Sequence, residues 1–265
     1  MGRAPAAITT RALGLVALAL LPPAGLRADG TELLPEVSLH LKAARYAPSE
    51  PQFGWDGWIG GGFGLVRLDR TTLYLAADVE TILGSEKRTF DANQANYHLE
   101  PGVRVRTGGY DLALFYHHVS RHLEDREKSQ AVDWNMVGVR VSGPLPERFP
   151  FPGRFSATMG HTVQVSLVGY RWEIRGQMEA TLLDQSWGRA YASAEARLVT
   201  TDDAPSFPRG DFVDFAAESG VRVIRGGRRL DLFAAFEHRN DVFLLVPGAW
   251  DRALVGFRVT FAGGE

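Results

Sequence analysis

From about residue 34 onward, apolar and polar residues alternate with a period of two, the spacing of a strand that shows each face a different environment. No segment carries the helical period. The clearest case is 170–182, where Tyr170, Trp172, Ile174, Met178 and Leu182 share one face and Arg171, Glu173, Arg175, Gln177 and Glu179 the other. Over 97–106, Tyr97, Leu99, Val103 and Val105 oppose His98, Glu100, Arg104 and Arg106. Over 229–239, Leu230, Leu232, Ala234 and Phe236 oppose Arg229, Asp231 and Glu237. The pattern predicts twelve strands, at about 35–45, 57–69, 72–82, 95–106, 110–120, 134–142, 154–167, 170–182, 188–199, 211–224, 229–239 and 251–261, with ten to fourteen as the range.

A soluble sandwich alternates as well. Length separates the two, because most of these segments run about 10 to 13 residues, the reach of a tilted membrane-spanning strand and beyond the usual ~5 to 6 of soluble sheets. The connections also sort by length. With a periplasmic N-terminus, the short turns at 70–71, 107–109 and 225–228 fall inside. The longer polar segments 46–56, 83–94, 121–133, 200–210 and 240–250 then fall outside. The turn at Gly169 and the link 143–153 do not follow that parity. The expected fold is all-β: a closed antiparallel transmembrane β-barrel of about twelve strands. The run Gly256-Phe257-Arg258-Val259-Thr260-Phe261 resembles the C-terminal assembly signal of outer-membrane barrels, with residues 262–265 following its last aromatic. That resemblance implies the barrel-assembly machinery as a partner.

The N-terminus reads as an address. Arg3 and Arg11 precede an apolar run over 12–21, then Pro22-Pro23 and Leu26-Arg27-Ala28. Ten or so apolar residues are half of the ~20 that a spanning helix needs, so 1–28 is expected to be a signal peptide and 29–265 the exported barrel. No second apolar run reaches spanning length, so any integral membrane state is built from strands.

Composition narrows the chemistry. Lys+Arg total 29 and Asp+Glu 31, a net charge of −2, which gives no basis for nucleic-acid binding. There is no Cys, which excludes disulfides, thiolate metal sites and a cysteine nucleophile. Apart from Lys42, Lys87 and Lys128 the basic residues are all Arg, suited to geometrically fixed ion pairs. In a barrel the charged faces point inward, so Arg104, Arg106, Arg171, Glu173, Arg175, Glu179, Glu195, Arg197, Asp214, Glu218, Arg222, Asp231 and Glu237 are expected to line a filled or narrow lumen.

The densest chemical cluster runs from Tyr116 to Lys128, where a strand passes into a charged loop. His118 and Ser120 lie two residues apart and share a strand face, so the imidazole can serve as base to a serine nucleophile if a third group orients the ring. This H-x-S pair resembles the catalytic strand of two outer-membrane barrel hydrolases, the lipid A 3-O-deacylase and the outer-membrane phospholipase A. Arg121 stands where both families place Asn. A hydrolase of this kind works from the lipid-facing wall. It requires His118 and Ser120 to point outward; Leu112 and Leu114 share their face, but Ala113 and Phe115 make the other face apolar too, so the pattern leaves the direction open. The longer run His118-Val119-Ser120-Arg121-His122-Leu123-Glu124-Asp125-Arg126, preceded by His117, resembles the H-[IV]-S-[SR]-H-L-x-D-[ER] signature of an outer-membrane family without assigned function. Glu50-Pro51-Gln52-Phe53 and residues 73–82 also resemble that family's N-terminal half. The resemblance implies the barrel and its location.

Other readings of the cluster stay open. His118, His122, Glu124 and Asp125 carry metal-ligand types, but no recognised metal spacing is present. No metal or cofactor is expected. In a purely interfacial segment, Tyr116 and His117 would sit near the headgroups, and Arg121, Arg126 and Lys128 would meet lipopolysaccharide phosphates. Gly60-Gly61-Gly62-Phe63-Gly64 has no following helix or Lys, so close backbone packing explains it better than a nucleotide loop. Trp55, Trp58, Trp134, Trp172, Trp187 and Trp250 fall mostly near strand ends, where interfacial girdles place them. The sequence leaves a structural or passive-transport barrel first, with a lipid hydrolase and a loop-mediated adhesion protein as alternatives. Outer-membrane lipids and lipopolysaccharide are the expected partners.

Overall fold

A computed structural model of the chain describes residues 30–124, 132–202, 210–240 and 248–263. The expected signal peptide lies outside the described residues, as do Asp125, Arg126 and Lys128. Twelve strands follow one another: β1 (Thr31–Ala47), β2 (Trp55–Leu68), β3 (Thr71–Gly84), β4 (Asp91–Thr107), β5 (Tyr110–Leu123), β6 (Val132–Pro144), β7 (Gly153–Ser166), β8 (Tyr170–Gln185), β9 (Gly188–Thr201), β10 (Phe212–Arg225), β11 (Arg228–Arg239) and β12 (Trp250–Gly263). Each pairs antiparallel with its sequence neighbours, and β1 pairs with β12 through Leu41 opposite Val259, closing the barrel. No candidate spanning helix occurs among the described residues. A strand of 14 residues, such as β2, covers about 35 Å along the barrel axis at ~3.3 Å per residue and ~40° tilt. That exceeds an apolar band of about 25 Å, so the strand ends reach the headgroups.

Alternation sorts the side chains as expected. Leu114, Val137, Val139, Ile174, Leu232 and Val255 are exposed on the outer wall. Inside, two apolar clusters form. One joins Val119, Leu123, Val132, Trp134, Met136, Val168, Tyr170, Val199 and Phe212 toward the outer mouth. The other joins Tyr46, Phe53, Ile82, Leu254, Tyr191 and Phe233 along the opposite side. The Glu50-Pro51-Gln52-Phe53 stretch folds over that mouth: Phe53 packs 4.5 Å from the Trp250 ring, and the Asn93 amide donates to the Gln52 carbonyl.

Ion pairs fill the lumen, some between adjacent strands and some between strands that are not neighbours. Arg140 on β6 forms a two-pronged pair with Glu100 on β4, at 2.8 and 2.7 Å, and Tyr74 donates to the same carboxylate at 2.9 Å. Arg197 joins Glu173 at 2.8 Å and Asp214 at 2.9 Å. Arg239 on β11 reaches Glu80 on β3 at 3.0 Å. Asp231, fully buried, accepts from Arg222 at 2.9 Å, Arg229 at 2.5 Å and Arg258 at 3.3 Å. An unpaired charge in the interior is costly, so these carboxylates are held by guanidinium groups, Glu173 by both Arg197 and Arg175 and Asp231 by three.

The structure corrects three expectations. Arg171 is not lumenal: a bulge in β8 between Tyr170 and Trp172 shifts the phase. Tyr170 turns into the buried cluster, and Arg171 moves to the rim, where it pairs with Asp202 at 3.1 Å while well exposed. His117 is not at the headgroups but inside, lining the central lumenal cavity. Of the tryptophans, Trp172 and Trp187 are exposed, but Trp58 and Trp134 line the lumen and Trp250 packs on Tyr46 and Phe53 at the mouth. The glycines of β2 do reflect close approach. A Cβ on Gly60 would lie 1.9 Å from Asp78 Oδ1, which pairs with His40 at 2.9 Å.

Asp231→Ala leaves three guanidinium groups without their buried carboxylate and is expected to cost about 3 kcal/mol, read as a lower urea midpoint of detergent-folded protein. Arg106→Ala, which removes an exposed pair with Asp111, should cost under ~1 kcal/mol. Equal shifts for both would contradict the lumenal network as a stability determinant.

Candidate functional site on the outer wall of β5

Strand β5 changes character along its outward face. Leu112, Leu114 and Tyr116 are exposed to the lipid side, and His118, Ser120 and His122 continue the same phase toward the outer end. The phase is fixed by the residues between them. Phe115, Val119, Arg121 and Leu123 are buried, with Val119 and Leu123 packed into the apolar cluster beside Trp134 and Met136. The neighbouring strands change in the same place. On β6, the outward Val141, Val139 and Val137 give way to Asn135 and Asp133. The site therefore stands where the apolar wall becomes polar, the level at which lipid ester groups lie between acyl chains and headgroups.

Register brings the pieces together in rows. His118 is flanked by Leu99 of β4 and Asn135 of β6. Ser120 is flanked by Tyr97 and Asp133, and His122 stands opposite Ala95. Asn135 Oδ1 lies 2.6 Å from His118 Nδ1. A carbonyl oxygen only accepts, so Nδ1–H donates and the neutral ring keeps its lone pair on Nε2. Ser120 Oγ lies 2.7 Å from His122 Nε2, and the Tyr97 ring stands edge-on to the His122 ring at 5.6 Å. The wall thus holds a hydroxyl between two imidazoles, one of them oriented by an amide. That arrangement can accept the proton of a serine hydroxyl as its oxygen attacks a carbonyl.

The sequence called for a third group to orient the ring without identifying it; the structure places Asn135 there. Its signal was present, since Asn135 occupies a phase of β6 otherwise filled by Val137, Val139 and Val141. A buried amide on a lipid-facing phase is expensive unless something bonds it, and here His118 does so.

The other expected site residues scatter. Glu124 contributes its backbone N–H to the Asn93 carbonyl at 2.9 Å. His117 stacks on His98, with ring nitrogens 3.3 Å apart, and His98 stacks on Trp58. These rings line a lumenal cavity of about 480 Å³ together with Glu100, Arg140, Glu173 and Arg175. Glu179 pairs with Arg222, and Arg104 with Glu36 at 2.5 Å. Arg104 and Arg106 both line a cavity of about 450 Å³ at the end opposite the site. Among the described residues, no group of three or more His, Asp or Glu side chains is placed to hold a metal ion.

The architecture is that of outer-membrane β-barrel proteins. No protein-family model matches the chain, and no curated protein matches it. Among solved structures, it resembles the outer membrane phospholipase A of Escherichia coli at 12% identity and a TM-score of 0.53, over 84% of this chain and 95% of that one. It resembles the Salmonella typhi outer membrane phospholipase dimer with bound calcium at 11% identity and 0.53, over 84% and 90%. A third match, the translocator domain of the autotransporter NalP from Neisseria meningitidis, reaches 0.40 at 12% identity, over 95% and 93%.

Because the chain has no Cys, single-cysteine spin labels report the faces directly. Labels at 114 and 118 should collide more with oxygen than with a water-soluble nickel chelate in lipid vesicles, and labels at 117 and 140 should show the reverse. Matching behaviour at 117 and 118 would break the assignment of faces.

Proposed function

We propose that this barrel hydrolyses acyl esters of outer-membrane lipids, with Ser120 as nucleophile and His118, oriented by Asn135, among the imidazoles that serve it. The observation that carries this reading is the 2.6 Å contact between His118 and Asn135 on the lipid-facing wall, beside a serine of the same face. An isolated H-x-S is common; here the histidine is fixed in one tautomer by Asn135 of the neighbouring strand, and the serine hydroxyl lies 2.7 Å from a second imidazole, His122. Depth supports the same reading. Ser120 lies near the outer end of β5, at the apolar-to-polar boundary, within reach of the esters of an outer-leaflet lipid, either a phospholipid or the lipid A of lipopolysaccharide. Two structural neighbours, each at a TM-score of 0.53, are named as phospholipases, which agrees with that substrate class.

In this mechanism Oγ attacks the ester carbonyl as an imidazole accepts its proton, and the leaving alkoxide takes that proton back. An acyl-serine then remains for water to release. Export by residues 1–28 and insertion by the barrel-assembly machinery complete the reading. A passive-transport role draws less support, because guanidinium–carboxylate pairs bridge the lumen and an apolar cluster packs toward its outer mouth.

Mass spectrometry of lipids from outer membranes carrying the protein should show loss of an acyl chain. Ser120→Ala should abolish that loss. Asn135→Ala should slow it between about 10-fold and 10⁴-fold with the barrel intact by heat-modifiable gel migration. Unchanged lipids together with discrete conductance steps in planar bilayers would replace hydrolysis with transport.

A further inference from the structure

The hydroxyl of Ser120 contacts an imidazole, but that imidazole belongs to His122 and not to the histidine that Asn135 orients. Resting on the reading of Ser120 as a nucleophile, we propose that the two histidines divide the reaction: His122 takes the serine proton during acylation, and His118 activates the water that removes the acyl group. At 2.7 Å, His122 Nε2 is at proton-transfer distance from Oγ. The Tyr97 ring braces the His122 ring from β4, and strand geometry puts His122 and His118 on opposite sides of the serine along one face. His118 is committed at Nδ1 to Asn135, so its lone pair on Nε2 is directed away from that bond and is available to a water. One imidazole thus stands at the hydroxyl, and a second stands ready for another proton.

Each step balances. In acylation the Oγ–H proton passes to His122 Nε2, and the Oγ–C bond forms. The ester C–O bond then breaks, and the leaving alcohol carries that proton away. In deacylation a water proton passes to His118 Nε2, and the new C–O bond forms. The Oγ–C bond breaks, and Oγ recovers a proton from His118 as the fatty acid departs. Nothing beyond lipid ester and water is consumed.

The two steps respond separately to an alkyl fluorophosphonate, which needs only the first. Its reaction forms an Oγ–P bond, expels fluoride and requires the serine proton to be accepted, with no deacylation. The full-length protein, folded in detergent, should be labelled at Ser120. His122→Gln should lower the labelling rate by roughly 100-fold or more. His118→Gln should label within about threefold of wild type, yet fail to turn over a lipid ester, accumulating one acyl group on the intact protein by mass. Heat-modifiable migration and strand-rich circular dichroism certify the fold of each variant. Loss of labelling in His118→Gln, or full labelling in His122→Gln, overturns the division of roles while leaving Ser120 as nucleophile. A wild-type protein that takes no label and releases no acyl chain overturns both this proposal and the hydrolase reading beneath it.

Discussion

Hydrocarbon offers no hydrogen bonds, so every backbone N–H and C=O that crosses it must find a partner in the protein. In this chain the pairing of β1 with β12 meets that requirement, because it leaves no strand with a free edge. Much of the remaining structure follows from closure. A closed sheet has an inside and an outside, and side chains alternate between them without exception except at bulges. The apolar phase faces lipid, and the charged phase faces a lumen that twelve strands leave narrow. Charges confined there must pair across the barrel, which accounts for the links from Arg140 to Glu100 and from Arg239 to Glu80 between non-adjacent strands.

The legible part of the fold is therefore the part governed by a period of two. Each of the twelve strand segments lies where the alternation put it, extended by a few residues at several ends. Those extensions sit in the headgroup region, where contrast between faces fades. Glu173, Arg175, Glu179 and Arg104 face inward as their phase requires. Arg171 escaped because a bulge inserts one residue without leaving a mark in the hydrophobic pattern. The tryptophans escaped for a different reason. Girdle statistics describe outward residues, but Trp58 and Trp134 lie on inward phases, and Trp134 belongs to the apolar cluster. Phase was the better guide to them than residue type.

The candidate site was half legible for a related reason. His118, Ser120 and His122 share one strand, so their common face followed from spacing alone. Whether that face pointed out depended on which phase of β5 packs inward. Val119 and Leu123 settle that by joining Trp134 and Met136. A slip of one residue would send His117 to the lipid and bury the serine. Asn135 comes from the next strand, and its place opposite His118 depends on the β5–β6 register. Spacing within one segment carries no such information.

Polar side chains on a lipid-facing wall need a reason to persist, since each costs free energy where no partner is present. Those on β5 and β6 answer one another: His118 bonds Asn135, and Ser120 bonds His122. Mutual satisfaction lowers the cost of the cluster but does not explain its presence, because valines would pack there as they do at 137, 139 and 141. A structural role would favour any self-satisfied set, for instance threonines paired across strands. Two imidazoles around a hydroxyl are a more demanding choice, because each brings a ring nitrogen able to accept a proton from a bonded hydroxyl or water. Placed on strands whose inner faces are locked by packing, these groups have little freedom to drift. Catalytic geometry needs that rigidity, and a passive wall does not.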